Sequence, residues 1–164
     1  MHTGVTLQTA SDSDADRLAT LRVRAMQPSL EQLGRFDPQR ALARFLDGFC
    51  AAHTRHVVLG ATHVGVVVVR PGAEVLLLEH LYIAPEHQGR GLGGCVLDAV
   101  FAEADALGLP MRVGALKGSA SNRFYLRHGF RLVEEAAWDN YYLRPPATGV
   151  KARRTPADPG ARVR

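Results

Sequence analysis

Gln88-Gly89-Arg90-Gly91-Leu92-Gly93-Gly94 puts four glycines into seven residues. It stands between an apolar run, Glu74 to Ile83, and a helical pattern from Gly91 to Leu107 in which Leu92, Val96, Val100, Phe101 and Ala104 make one stripe. Glycines between a strand and a helix let backbone N–H groups close on an anion, and the helix start adds positive potential, so a phosphate or pyrophosphate is the natural guest. Gly89, Gly91 and Gly94 also satisfy the spacing of a dinucleotide fingerprint. The context excludes it: the strand that should carry a ribose-binding acid, Met111 to Leu116, has none, and three antiparallel strands precede the loop. No Gly-Lys-Ser/Thr closes the loop, which excludes a P-loop as well.

Toward the N-terminus, His56 to Leu59, Val64 to Arg70 and Glu74 to Ile83 are apolar runs joined by tight turns, and they predict an antiparallel meander. Val66 to Val69 and Val75 to Leu78 are apolar on both faces, which predicts helices on both sides of the sheet. Val5 to Thr9 reads as a first strand. A helix follows the acid cluster Asp12, Asp14 and Asp16 and is expected to stop at Pro28. A second helix spans Asp37 to Phe49 with Pro38 at its first position. Arg22, Arg24, Arg35, Arg40 and Arg44 on these helices read as solvated faces, with a substrate-facing role as the alternative.

Toward the C-terminus, Gly108 and Pro110 close the long helix and Met111 to Leu116 returns as a strand, so a right-handed crossover places one parallel pair in the sheet. Ser119 to His128 reads as a short helix capped by Ser119 and stopped at Gly129. Arg131 to Glu134 and Trp138 to Leu143 are final strands. The fold class is α/β, a central mixed and mostly antiparallel sheet of about seven strands flanked by about four helices.

Gln88, Gly91 and Gly93 match the Gln/Arg-x-x-Gly-x-Gly/Ala loop of the Gcn5-related N-acetyltransferase family. Leu81-Tyr82-Ile83-Ala84-Pro85 resembles the strand end that leads into that loop, and Phe124-Tyr125-Leu126-Arg127-His128-Gly129-Phe130 resembles the family's Tyr-x-x-x-Gly-Phe element. The resemblance covers Val5 to Leu143 in element order, with its specific motifs between Glu79 and Phe130. It implies a single acyl-CoA N-acyltransferase domain over residues 1–146 and acetyl-CoA as co-substrate, with no metal. One position departs from the pattern: an Asn that touches CoA in many members is replaced here by Ser119 or Gly118.

By that resemblance the N–H groups of Gly89, Arg90, Gly91, Leu92, Gly93 and Gly94 hold the CoA pyrophosphate, with Gln88 opening the loop. Leu81, Tyr82 and Ile83 pair with the pantetheine arm, and the Ile83 N–H faces the acetyl carbonyl oxygen. Ser119 supplies the contact of the missing Asn. Tyr125 is the general acid for the leaving thiolate, a role open to a phenol, with a packed helix aromatic as the bland alternative. Strand alternation puts Glu79 on the face of Leu81 and Ile83, where it is the candidate base; an edge carboxylate is its alternative. His80, on the opposite face, reads as structural. Phe124 reads as the core-facing residue of the short helix. His87, Arg90 and Arg123 are candidates for the CoA 3′-phosphate, and Trp138, Tyr141 and Tyr142 for the acceptor cleft, against solvated and packing roles respectively.

The expected activity is acetyl transfer to a primary amine of a small molecule by direct attack in a ternary complex. A peptide or protein acceptor and a non-catalytic acyl-CoA-binding module remain as alternatives. The 164 residues suit one domain, and 46% hydrophobic with 22% charged residues suits a folded one. Cys50 and Cys95 both fall in stretches that read as helices, without CxxC spacing, so neither a disulfide framework nor a zinc site is expected and a cytoplasmic location is. The net charge of +4 is concentrated in the last fourteen residues, where Lys151, Arg153, Arg154, Arg162 and Arg164 face only Asp158. Residues 147–164 therefore read as a basic, disordered tail, and the neutral remainder gives no reason to expect a nucleic-acid or membrane partner. A homodimer is compatible with the exposed sheet edges.

Overall fold

The computed structural model describes residues 4–147, so the expected basic tail lies, but for Ala147, outside the described residues. The chain runs β1 (Val5–Thr9), α1 (Ala15–Gln32), α2 (Pro38–Asp47), β2 (Thr54–Leu59), β3 (Thr62–Pro71), β4 (Leu76–Ile83), α3 (Leu92–Leu107), β5 (Met111–Leu116), α4 (Ser121–Arg127), β6 (Arg131–Glu135) and β7 (Asp139–Arg144). These strands form one sheet in the order β1-β2-β3-β4-β5-β7-β6. Only β4 and β5 are parallel, as the crossover through α3 requires.

Each face of the sheet has its own core. On one face α3 lays Val96, Val100 and Ala104 against Val57, Val67 and Leu78. On the other, α1 and α2 bring Leu18, Ala19 and Phe45 onto Val66 and Val68. The helix ends follow from local chemistry. Asp37 accepts a hydrogen bond from the Arg40 N–H at 3.1 Å and caps α2, with Pro38 at the first position. Gly108, at φ 66°, ends α3 while Leu109 donates to the Ala104 carbonyl.

Four details depart from the sequence expectations. Pro28 does not stop α1; the helix gives up the bond that Pro28 cannot donate and continues to Gln32, with α2 packed against it. Cys50 lies between α2 and β2 rather than in a helix, and both cysteines are free. Ser119 does not cap α4: Ala120 is at that position and no side chain caps the helix. Leu77 is 39% exposed, so β4 is not covered on both faces along its length.

Asp14 ties the start of α1 to the sheet. Its carboxylate contacts His56 Nε2 at 2.9 Å, with His56 buried on β2, and accepts from the Ser11 N–H at 2.9 Å. The His56 hydrogen bond, then the Ser11 backbone bond, hold the Asp14 carboxyl well below its ordinary 3.8. A carboxyl depressed in the folded state stabilises above its unfolded pKa and loses that contribution as pH falls through and below it. In Asp14→Asn the decline of the urea midpoint below about pH 5 is expected to be shallower than in the unchanged protein. Superimposable acid limbs would show that the pair does not couple pH to folding.

Candidate active site

The site begins where two neighbouring strands part. β4 and β5 pair only from Leu76 with Met111 to Leu78 with Val113, yet β4 continues to Ile83 and β5 to Leu116. The Ala84 N–H donates to the Val64 carbonyl at 2.8 Å. Antiparallel alternation then turns the peptide groups of Leu81 and Ile83 to the other edge of β4, into the gap. There the Ile83 carbonyl accepts from Gln88 Nε2 at 2.9 Å, which pins the glycine loop to the strand.

β4 also carries a bulge. Val68 pairs with His80 and Val69 with Leu78, so Glu79 is the extra residue and the faces exchange there. The expectation that Glu79 shares a face with Leu81 and Ile83 is therefore corrected. Leu81 and Ile83 pack on the α3 side, while Glu79, His80 and Tyr82 line a cleft on the α1–α2 side. Glu79 is ion-paired with Arg70, which also donates to the Gly48 carbonyl at the end of α2.

Gly89 and Gly91 adopt φ values of 77° and 75°, a region that a side chain disfavours. Gly91 caps α3 with no side-chain partner, so the N–H groups of Leu92, Gly93 and Gly94 form an uncapped first turn facing the loop. Gln88, Gly89, Arg90 and Gly91 are exposed, whereas the Leu92 side chain is buried. Gly93 and Gly94 have a second reason to lack side chains: a Cβ there would stand 3.0 Å from Phe124 and 3.1 Å from His128, where α4 crosses α3. The residues fit a diphosphate ligand, with donors at a helix start and no carboxylate among the loop residues.

Tyr125 is the buried residue of α4, which reverses the expected roles of Tyr125 and Phe124; Phe124 is half-buried over Gly93. The Tyr125 ring contacts Phe130 and Phe124, each 5.3 Å away between centroids. It lines a cavity of about 110 Å³ together with Leu81, Tyr82, Ala115 and Ser119. Burial, and after it Tyr82, push the phenol above its ordinary 10, so it holds its proton. Ser119 sits beside it, held by Asn122, whose side chain donates to the Leu116 and Ser119 carbonyls at 2.9 Å each. Asn122 also accepts from Tyr142 Oη at 2.7 Å and locks the start of α4 to β5 and β7. Asn122 is not among the candidates drawn from the sequence; its place one residue into the helix after β5 was the available signal.

A larger cleft of about 510 Å³ adjoins this cavity, sharing Glu79, His80 and Tyr82 with it. Trp138 and Tyr141 line it, whereas Tyr142 is in the core. Arg22, Arg35, Arg40 and Arg44 line it too, so these arginines are not simply a solvated face; Arg24 is instead paired with Glu86 at 2.6 Å. Arg22 is only 6% exposed, one turn after Leu18 and Ala19 on the buried stripe of α1, which corrects its reading as part of a solvated face. His80 lies between the rings of Phe45 and Tyr82, at 5.1 and 5.7 Å. Burial, then Arg22, Arg70 and Arg44, lower its pKa to about 3. Neither cysteine lines either cavity, and among the described residues no group of three or more His, Cys, Asp or Glu could hold a metal. No helix among them is long and apolar enough to cross a membrane.

The acetyltransferase (GNAT) domain family matches residues 49–132, about half of the chain, from the end of α2 through α4 and into β6. No curated protein matches the sequence significantly. Among solved structures, an acetyltransferase from Thermus thermophilus is similar at 25% identity, with a TM-score of 0.69 over 88% of this chain and 99% of that one. The PaiA N-acetyltransferase from Thermoplasma acidophilum, solved in complex with coenzyme A, is 13% identical, with a TM-score of 0.68 over 87% and 99%. N-acetylglutamate synthase from Neisseria gonorrhoeae, complexed with coenzyme A and N-acetyl-glutamate, is 14% identical, with a TM-score of 0.64 over 90% of this chain and 36% of that one.

Proposed function

Because the chain belongs to the GNAT acetyltransferase family, we propose that it moves an acetyl group from acetyl-CoA to a primary amine of a small molecule, by direct attack with both substrates bound. The observation that carries this reading is the junction of the two cavities at Glu79–Tyr82, one beneath Tyr125 at the open β4 edge and one walled by α1, α2 and β7. A cleft of about 510 Å³ is of a size to enclose a small molecule.

Bound acetyl-CoA supplies an activated thioester, whose C–S bond breaks as the C–N bond forms. The chain's residues position and move protons. The first turn of α3 and the Gly89–Gly91 loop receive the diphosphate, and the free edge of Leu81 and Ile83 receives the amide-bearing arm as a further strand would. The Ile83 N–H stabilises charge developing on the acetyl oxygen. Glu79, held at the cleft wall by Arg70, draws in the ammonium and takes the amine proton through a water. Tyr125 gives its proton to the departing sulfur, and Ser119 offers a hydroxyl beside it.

Acetyl-CoA at 100 times its dissociation constant is expected to stabilise the protein by about 2.7 kcal/mol, read as a thermal shift. A thiol-release assay over amines, amino acids, polyamines, aminoglycosides and peptides then identifies the acceptor. A folded protein that shows no shift with acetyl-CoA and releases no thiol with any acceptor would end this reading.

A further inference from the structure

Resting on that acetyl-transfer reading, we propose that the acceptor amine also carries a carboxylate, and that Arg22 receives it. Arg22 projects from α1 to the floor of the larger cleft and is 6% exposed. Its Nη1 donates to the Ala41 carbonyl at 2.7 Å, and its guanidinium carbon lies 5.8 Å from the Tyr82 ring centre. Its Nε is buried without an acceptor among the described residues. A buried donor left unpaired costs stability, and such groups are normally satisfied, so this one calls for an acceptor from outside the described chain. With Nη1 occupied, the remaining edge of the guanidinium presents Nε and Nη2, two parallel N–H groups spaced for the two oxygens of a carboxylate.

The charge around Arg22 selects in the same direction. Arg35, Arg40 and Arg44 line the same cleft, as does Arg112, whose charge is met by Glu134 at 2.6 Å. Of the acids there, Glu79 is paired with Arg70 and Asp37 caps α2, which leaves Asp139 against the three arginines of α1 and α2 and their neighbour Arg35. His80, at the centre of this wall, is held neutral by its burial and by three of the surrounding arginines, which fits a positive local potential. An acceptor bearing only ammonium groups meets repulsion here. A carboxylate on the same molecule offsets it and turns the amine away from Arg22, toward Glu79 and the open strand edge.

The test uses acceptors matched in pairs that differ by the carboxylate: leucine with isopentylamine, phenylalanine with phenethylamine, 4-aminobenzoate with aniline. Phosphoethanolamine, spermidine and short peptides complete the panel. At least one carboxylated member is expected to be acetylated with kcat/KM at least about tenfold above its partner. Arg22→Lys, which keeps the charge but not the fork, is expected to bring that ratio close to one, with the acetyl-CoA thermal shift retained. Since Arg22 also holds Ala41, Arg44→Gln on the exposed side of α2 serves as the second variant and is expected to raise KM for the carboxylated amine several-fold. Preference for spermidine, for uncharged amines, for peptides or for phosphoethanolamine would overturn the proposal and leave acetyl transfer intact. So would acetyl-CoA binding with no turnover of any carboxylated amine. Absence of acetyl-CoA binding would instead overturn the reading beneath it.

Discussion

Tyr125→Phe is expected to slow acetyl transfer at least about tenfold while leaving acetyl-CoA binding and the folded state in place. The ring is held by Phe124, Phe130 and Tyr142, contacts that phenylalanine reproduces. The hydroxyl makes no hydrogen bond among the described residues, so its removal strands no partner. What is lost is one hydroxyl on a residue that lines the same cavity as Leu81 of the open β4 edge. Burial keeps the proton on the phenol beyond its ordinary 10, so the unchanged enzyme is expected to show no loss of activity from Tyr125 ionisation as pH approaches 10. For stability, a pKa raised by folding gives a contribution complete below the unfolded value and lost as pH rises above it. The decisive measurement is kcat with saturating acetyl-CoA. Turnover of the variant within about twofold of the unchanged protein would remove Tyr125 from proton transfer.

The second large effect concerns Gly65 on β3, opposite Ile83. A Cβ at Gly65 would lie 2.5 Å from the Tyr82 carbonyl oxygen and 2.9 Å from Ile83 Cδ1. The first of these is backbone, so relief requires β4 to move and no rotamer change suffices. Gly65→Ala is expected to cost about 3 kcal/mol, toward the upper end for overpacking, and to lower the thermal midpoint by several degrees. Because the displaced segment carries the free edge of Leu81 and Ile83, acetyl-CoA is also expected to bind more weakly. Wild-type unfolding and affinity would show that the two strands tolerate separation at this point.

The fold was largely legible because its punctuation is local. Gly60, Pro71-Gly72, Gly108 and Gly129 mark turns and helix ends by their own backbone preferences, and the spacing of Leu92, Val96 and Val100 states a helix face without help from elsewhere. The glycine loop, also local in sequence, is pinned to the β4 end by Gln88. What was not legible depends on partners distant in sequence. The Glu79 bulge is a mismatch in length between β3 and β4, and neither strand alone announces it. Arg22 has the charge of a surface residue, and only α2 packed across α1 encloses it. Tyr125 and Phe124 exchanged expected places because α4 crosses α3 over Gly93 and Gly94, a close approach that the helix pattern does not encode.

Within the sheet, only three residue pairs between β4 and β5 join the meander of β1 to β4 with the three-stranded piece made by β5, β7 and β6. Seen mechanically, the sheet is two plates on a short seam with a notch beyond it. A molecule lying in that notch, hydrogen-bonded to one plate and packed against the other, would lengthen the seam and act as a splint. Its arrival would then stiffen regions it never touches, and amide exchange in β6 and β7 would slow along with that of the strands it borders.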